Sequence, residues 1–422
     1  MSQNDLSTIR SKAIQAFNVG VAAADPAAAL HAALQENPLP NVAKDGRYII
    51  VAVGKAACKM ADCAIKHLPN SANFSALAVT NFENVEPING CEVLGASHPE
   101  PCEKGLEAGR KVMEVLSSAS LSDVVVMLIS GGASALLPAP VPEIGLYHKT
   151  QVNNLLLSTG LDIYETNLVR QSLSQLKGGG ALKFAHPADV HSYILSDVLG
   201  DDLRVVGSGP SICPIGTPAD TRRLLIEKGI YTKLPNRVRT YLEDAPSNTK
   251  IEFPKNAHLI ASNQTSLHEM ARAAGATIIE APLVGDVQIA AEEVIKSVQE
   301  HKGNKPIILA FGGETTVTLT GKGKGGRNQE LALRVARAAK DAGFDFPWCF
   351  LSGGTDGRDG PTDAAGALVD CNTLDRLDAA GIDLDTYLHE NDSYAALKAS
   401  NDLLMTGATG TNVADLQLFF AS

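Results

Sequence analysis

The chain has no run of about 18 apolar residues, the least that would span a bilayer as a helix. Its first residues, MSQNDLSTIRSKAIQAF, carry an acid where a secretory leader would need an unbroken apolar stretch. Neither membrane insertion nor export is expected. Cysteine is sparse and scattered: the seven thiols, Cys58, Cys63, Cys91, Cys102, Cys213, Cys349 and Cys371, form no CxxC and no Cys/His zinc spacing. An odd, unpatterned set excludes a disulfide framework and fits reduced thiols in a cytoplasmic protein. Positive charge is in deficit, with 36 Lys and Arg against 47 Asp and Glu and a net charge of −11. Nucleic acid and anionic membrane, which reward basic surfaces, are therefore not expected as partners. There is no Walker A motif, because none of Gly54-Lys55, Gly321-Lys322 and Gly323-Lys324 is followed by Ser or Thr, and there is no protein-kinase HRD or DFG.

What the chain does have is length and apolar content, 422 residues of which 45% are hydrophobic. That exceeds the usual size of one core, so two domains are expected. Continuous apolar runs alternate with helical stretches: Tyr48–Val53, Leu77–Thr80, Val124–Ile129 and His191–Leu195 predict a parallel, doubly wound α/β sheet. A second series follows the polar, proline-containing stretch Leu234–Pro254. Its expected strands are Ala257–Ile260, Ile307–Phe311, Thr315–Thr320 and Trp348–Leu351, and its helices Gln264–Ala274, Val287–His301 and Gln329–Ala342. The division is placed at 1–240 and 241–422.

Polar clusters fall directly after these strands. Residues 312–330, GGETTVTLTGKGKGGRNQE, hold six glycines and three cations, Lys322, Lys324 and Arg327, ahead of a helix. This pattern suits a phosphate cradle, since glycine admits close backbone approach and the helix N-terminus attracts anions; a solvated surface loop is the plainer reading. Gly321, Gly323 and Gly326 also match G-x-G-x-x-G, but the acid that a dinucleotide fold places about 20 residues on falls on Asp341, at the end of a helical stretch rather than of a strand. Lys55 follows Gly54 on a tight strand-to-helix turn. Ser130-Gly131-Gly132-Ala-Ser134 lacks the closing glycine of a nucleophile elbow and reads as an anion nest. Arg170 and Lys177 lead into Gly178-Gly-Gly180, where an ordinary helix end accounts for Lys177 better than for Arg170. Asp197, Asp201, Asp356 and Asp359 occupy acid-rich turns. Their spacing rejects an EF-hand, while one or two such carboxylates with substrate phosphates would suffice for Mg²⁺.

The segments VAVGKAACKMA (51–61), SHPEP (97–101), LISGGASALLPAP (128–140), NLVRQSLSQLKGGG (167–180), ILSDVLGDDLRVVGSGP (194–210), FGGETTVTLTGKGKGGRNQELAL (311–333), GGTDGRDGPTDAAGALVD (353–370) and TGATGTNVADL (406–416) together resemble the bacterial glycerate 2-kinase family, whose members are also labelled hydroxypyruvate reductases. The resemblance spans nearly the whole chain. It implies a Rossmann-like doubly wound N-terminal domain and a smaller mixed-sheet C-terminal α/β domain, with the active site in the cleft between them. It implies transfer of the γ-phosphoryl of ATP to the 2-hydroxyl of D-glycerate with a divalent ion, here Mg²⁺. The family's strand-end lysine falls on Lys55 and the arginine of its glycine-rich motif on Arg327, which together are expected to clamp the phosphates, with Asp197 as a third catalytic residue. On this reading Ser130, Gly131, Gly132, Ser134 and Arg170 bind the glycerate carboxylate. Lys177, Gly312, Gly313, Glu314, Lys322, Gly323, Lys324, Gly325, Gly326 and Asn328 bind nucleotide, and Asp356 and Asp201 bind metal. The expected partner is the small-molecule substrate, with self-association into a homo-oligomer left open.

Two rival classes remain at this stage. A nicotinamide-dependent hydroxypyruvate reductase needs a dinucleotide site and a proton donor, and of ten histidines only His98, in SHPEP, lies in a suitable cluster. A non-catalytic anion-binding protein would explain the glycines but leaves the carboxylates without purpose.

Overall fold

The computed structural model describes residues 3–245, 254–301 and 306–421, and the chain divides into two units, Pro26–Ile260 and the combination of Met1–Asp25 with Ala261–Ser422. Within the first unit lie β1 (Tyr48–Val53), β2 (Phe74–Asn81), β3 (Cys91–Ala96), β4 (Val124–Ile129) and β5 (Asp189–Leu195), with β6 (Ala257–Ala261) at its end. They form one sheet in the order β3-β2-β1-β4-β5-β6, and β1 to β5 run parallel. This is the Rossmann order, in which the strand sequence reverses between β1 and β4. The uninterrupted apolar runs follow from burial on both faces. Ile49, Val51 and Val53 of β1 join Val125, Met127 and Ile129 of β4 in one core, while Tyr48, Ile50 and Ala52 join Val124, Val126 and Leu128 in the other.

The other unit contains β7 (Thr277–Ile278), β8 (Leu283–Asp286), β9 (Ile307–Thr316), β10 (Trp348–Gly354), β11 (Gly366–Asp370), β12 (Leu403–Leu404) and β13 (Asp415–Ala421). These make a mixed sheet, β12-β11-β10-β13-β9-β7, with β8 also on β9. β13 lies antiparallel between β10 and β9, whereas β7 and β8 run parallel to β9. The helices Asn263–Ala274, Val287–Glu300 and Arg327–Asp341 lie where the sequence pattern places them.

Three expectations are corrected. The first concerns the domain boundary, which falls at Ile260/Ala261 instead of 240, with residues 1–25 belonging to the later unit. The reason is the apolar stripe of the helix Gln3–Ala23: Ile9, Ala13, Ala16 and Phe17 pack with Leu267, Met270, Leu416 and Leu418. A methyl on Gly20 would stand 2.9 Å from Met270 Cβ, so the helices cross closely there. Arg10 of the same helix pairs with the buried carboxylates of Asp370 and Asp402, which Arg376 also holds. Residues 246–253 of the expected linker stretch lie outside the described residues. Second, Ile307–Phe311 and Thr315–Thr320 are not separate strands; β9 runs on through Gly312, Gly313 and Glu314 to Thr316, because β8 and β13 pair with that portion. Gly353 and Gly354 likewise lie inside β10. Third, the helix carrying Arg170 ends at Ser172, so Lys177 is not on it. Beyond Ser172 the backbone turns to bond the loop after β4, Gln175 N donating to Ala139 O at 2.9 Å. No described helix is long and apolar enough to cross a membrane.

Candidate active site

In open α/β sheets ligands bind beyond the strand C-termini where the strand order reverses, and here that crevice lies between β1 and β4. The two strand-to-helix turns are knitted together. Lys55 N donates to Gly131 O at 2.9 Å, Ser130 N to Val53 O at 2.9 Å, and Ala56 N to Ser130 Oγ at 3.1 Å. Gly54 has φ of +127°, and a Cβ there would meet Ser130 O at 2.5 Å, so only glycine fits. The Lys55 carbonyl is held by the Asn84 side-chain amide at 2.9 Å. The lysine stem and the His98 ring both pass over Gly132, where a methyl would lie 3.3 Å from Lys55 Cγ and 3.1 Å from His98 Cδ2. A methyl on Gly131 would lie 2.1 Å from Asp197 Oδ2, which places that carboxylate directly over the glycine. Burial, with the Lys55 charge adding to it, lowers the His98 pKa, against an opposing pull from Glu83. Lys55, His98, Gly131, Gly132 and Asp197 thus converge. Ser130 is present as well, but its hydroxyl is 1% exposed and committed to the Ala56 amide, which makes it a scaffold for the turn.

Further along the same edge, three cations gather. Lys177 Nζ donates to Ser134 O and, at 2.9 Å, to Ser134 Oγ; Ser134 Oγ continues to Ser208 Oγ at 2.9 Å and Ser208 to Asn167 Oδ1 at 2.6 Å. Arg170 Nε and Nη2 donate to Asn153 Oδ1 at 3.2 and 2.7 Å. Lys149, from the helix Leu146–Leu157, is buried with its Nζ unpartnered among the described residues. Burial, then the charge of Arg170, brings its ammonium down to about 7. Lys177 is pushed well below its ordinary value by burial and by both neighbours.

In the other unit Arg327 opens the helix Arg327–Asp341. Its Nε and Nη2 bind Asp415 at 2.6 and 3.0 Å and its Nη1 binds Glu314 at 2.9 Å. Asp415 is fully buried, and desolvation lifts its carboxyl to about 6 against the pull of Arg327. Asp356 and Asp415 both flank Gly354, where a Cβ would lie 3.4 and 3.5 Å from their Oδ1 atoms. The expected phosphate seat at this helix N-terminus is taken by protein: Asp359 accepts from Asn328 N at 3.1 Å and Gln329 N at 2.8 Å. Asn328 is itself buried, accepting from Ser352 Oγ at 2.6 Å.

The glycines of the loop before it have the same explanation. Cβ atoms on Gly321 and Gly323 would meet Glu390 and Asp392, one on Gly325 would meet Ser393 Oγ at 2.0 Å, and one on Gly326 would meet Asp359 Cγ at 2.3 Å. Gly323 N donates to Glu390 O at 2.7 Å and Lys324 N to Asp392 Oδ1 at 3.0 Å. The close approach that glycine permits is made to residues 390–393 by Gly321, Gly323 and Gly325 and to Asp359 by Gly326, so each glycine of the G-x-G-x-x-G match already faces protein. Gly312 and Gly313 answer to Asn263 Oδ1 and Leu283 O, each 2.1 Å from an added Cβ. Lys322 and Lys324 stay exposed, Lys324 Nζ 5.1 Å from the Tyr394 ring centre. Asp201 lies in a turn with φ of +54°. Among the described residues no three His, Cys, Asp or Glu side chains converge as a metal cage.

Lys149 and Asp415 escaped the sequence reading. Lys149 stands among LYHKTQVNNLLL, with nothing to separate it from a surface lysine, and Asp415 precedes an apolar strand as turn aspartates commonly do.

The chain matches a family described as a domain of unknown function (DUF4147) over residues 12–243 and the MOFRL family over residues 307–415. It is 40% identical over 387 residues to the D-glycerate 2-kinase of Thermotoga maritima, covering 90% of this chain and 91% of that protein. A protein of Agrobacterium vitis with the provisional name hydroxypyruvate reductase is 37% identical over 430 residues, covering 99% of this chain and 95% of the other. A crystal structure of a glycerate kinase from Thermotoga maritima superposes with a TM-score of 0.87 at 37% identity, over 99% of this chain and 100% of that one.

Proposed function

The chain belongs to the glycerate 2-kinase family, and from that premise we propose that it transfers the γ-phosphoryl of ATP to the 2-hydroxyl of D-glycerate, giving 2-phosphoglycerate and ADP. The observation that carries this reading is the convergence of Lys55, Gly131, Gly132 and Asp197 at the point where the strand order reverses. A loose phosphoryl-transfer transition state spreads negative charge over oxygens, so catalysis is largely fixed positive charge and positioning.

Lys55 supplies such a charge on a backbone that cannot shift, since its amide, its carbonyl and both neighbouring turns are tied. It has no ion-pair partner among the described residues, so its charge is free for an anion. Arg327 supplies a second cation, oriented by Asp415 and Glu314. Asp197, above Gly131, orients the acceptor hydroxyl, and exposed Lys322 and Lys324 draw in the nucleotide.

Mg²⁺ is usually held by one or two carboxylates and the substrate's own phosphates, not by an all-protein cage. Asp356, half-buried beside Gly354, or Asp197 fits that requirement, and Asp201 is the further candidate. When bound, the ion neutralises developing charge on the phosphoryl oxygens. The seven cysteines, none of them in a disulfide, agree with an enzyme of the reducing cytoplasm.

The test is to incubate the protein with D-glycerate, ATP and Mg²⁺, follow ADP release and identify the product as 2- or 3-phosphoglycerate. Hydroxypyruvate with NADH or NADPH is run in parallel. 2-Phosphoglycerate is the expected product; nucleotide oxidation without ADP release would replace the kinase with a reductase.

A further inference from the structure

The Pro26–Ile260 unit holds three cations together with no acid among them. Lys149 is 7% and Lys177 5% exposed, and no described carboxylate lies within ion-pair distance of either or of Arg170. Their partners are neutral oxygens: Asn153 Oδ1 for Arg170, Ser134 for Lys177. Such partners aim the head groups without cancelling their charge. Among the described residues Arg170 donates through Nε and Nη2 to Asn153 alone, and Lys149 Nζ has no acceptor. Buried like charges without a counter-ion carry a desolvation cost and repel each other. An arrangement so disposed is what a ligand bearing the missing negative charge would complete.

We propose that Lys149, Arg170 and Lys177 form a built oxyanion subsite, in which Lys149 is a third cationic ligand for a phosphate or carboxylate group of the enzyme's substrates or products. The family reading divides Arg170 and Lys177 between substrate and nucleotide; the geometry joins them and adds Lys149. The inference rests on that reading only for the identity of the ligand. The ordering of the subsite comes from the chain Lys177–Ser134–Ser208–Asn167, which connects it through the short helix Ala133–Leu136 to Gly132 and so to Lys55. An oxyanion bound there shares one sheet edge with Lys55.

The test is calorimetric titration of the full-length protein and of Lys149→Met with inorganic phosphate, 2-phosphoglycerate, D-glycerate and ADP, each alone. Circular dichroism establishes that the variant is folded. The expected result is that the wild type binds at least one of the four and that Lys149→Met weakens it at least tenfold. Loss confined to the phosphate-bearing ligands assigns the group as phosphate; loss that includes D-glycerate assigns it as carboxylate. Unchanged affinities in the folded variant, or no binding by the wild type, overturn the subsite. The function can fail separately: Lys149-dependent binding of inorganic phosphate without 2-phosphoglycerate formation would keep the subsite and remove the kinase, and an active kinase indifferent to Lys149→Met would do the reverse.

Discussion

Lys149→Met should make the protein more stable, by an amount that depends on pH in a defined direction. Burial beside Arg170 draws the Lys149 ammonium from 10.5 to about 7. In the unfolded chain the same group titrates at its ordinary value, so between those limits the unfolded state binds more protons and stability rises with pH. Below about pH 7 the full cost of charging a buried amine is present. At about 1.4 kcal/mol per pH unit the displacement corresponds to roughly 5 kcal/mol. Methionine keeps the apolar stem and discards the charge, so it recovers much of that cost, less whatever packing the replacement of Nζ disturbs. A gain of about 2–4 kcal/mol is expected at pH 6, shrinking toward zero near pH 10. Urea midpoints of variant and wild type compared at pH 6, 8 and 10 measure it. Saturating oxyanion should narrow the gap at pH 6, because ligand stabilises only the protein that binds it. A variant less stable than wild type at pH 6, or a difference flat across pH, would refute the argument that this amine is held unneutralised.

Arg327→Ala should abolish most turnover and also cost about 3–5 kcal/mol at pH 7, because it leaves Asp415 buried and unpaired. Asp415→Asn added to it should restore the urea midpoint but not the rate, and recovery of both would deny Arg327 a catalytic role. Since burial lifts the Asp415 carboxyl from 3.8 to about 6, the folded state retains its proton in that window, and the penalty of Arg327→Ala should diminish at pH 5. Lys55→Met should reduce kcat by orders of magnitude and raise the pKa of His98, read from its imidazole NMR titration; an unmoved His98 would mean the two side chains do not share one edge. Gly131→Ala should shift Asp197, whose Oδ2 would stand 2.1 Å from the new methyl, and lower kcat far more than stability, a split visible by comparing rates with melting temperatures. Asp359→Ala should cost about 1–2 kcal/mol by uncapping the helix Arg327–Asp341; a melting temperature equal to wild type would show that the cap is idle.

The Rossmann half of the molecule was legible because burial on both faces leaves a signature in composition: YIIVAV and VVVMLI have no polar residue to hide. The mixed sheet was less so. β13 begins with Asp415 and contains Gln417, and its pairing partners lie in β9 and β10, 61 to 114 residues earlier in the chain, a distance over which periodicity carries no information. The glycine-rich loop shows why a motif can point to the right region and the wrong cause. Glycine records only that something approaches the backbone closely, and at Gly321, Gly323 and Gly325 the approaching group is residues 390–393 of the same chain. Lys149 shows the converse. What singles it out is a missing feature, an acid within ion-pair reach, and that absence exists only once three residues spread over 29 positions, 149 to 177, are folded together. A sequence lists charges one at a time, whereas the pull on a ligand depends on which of them the fold has left without a counter-charge. On that criterion Arg327, already held by Asp415 and Glu314, is the more constrained cation, and the Lys149–Arg170–Lys177 group is the stronger source of unspent positive charge.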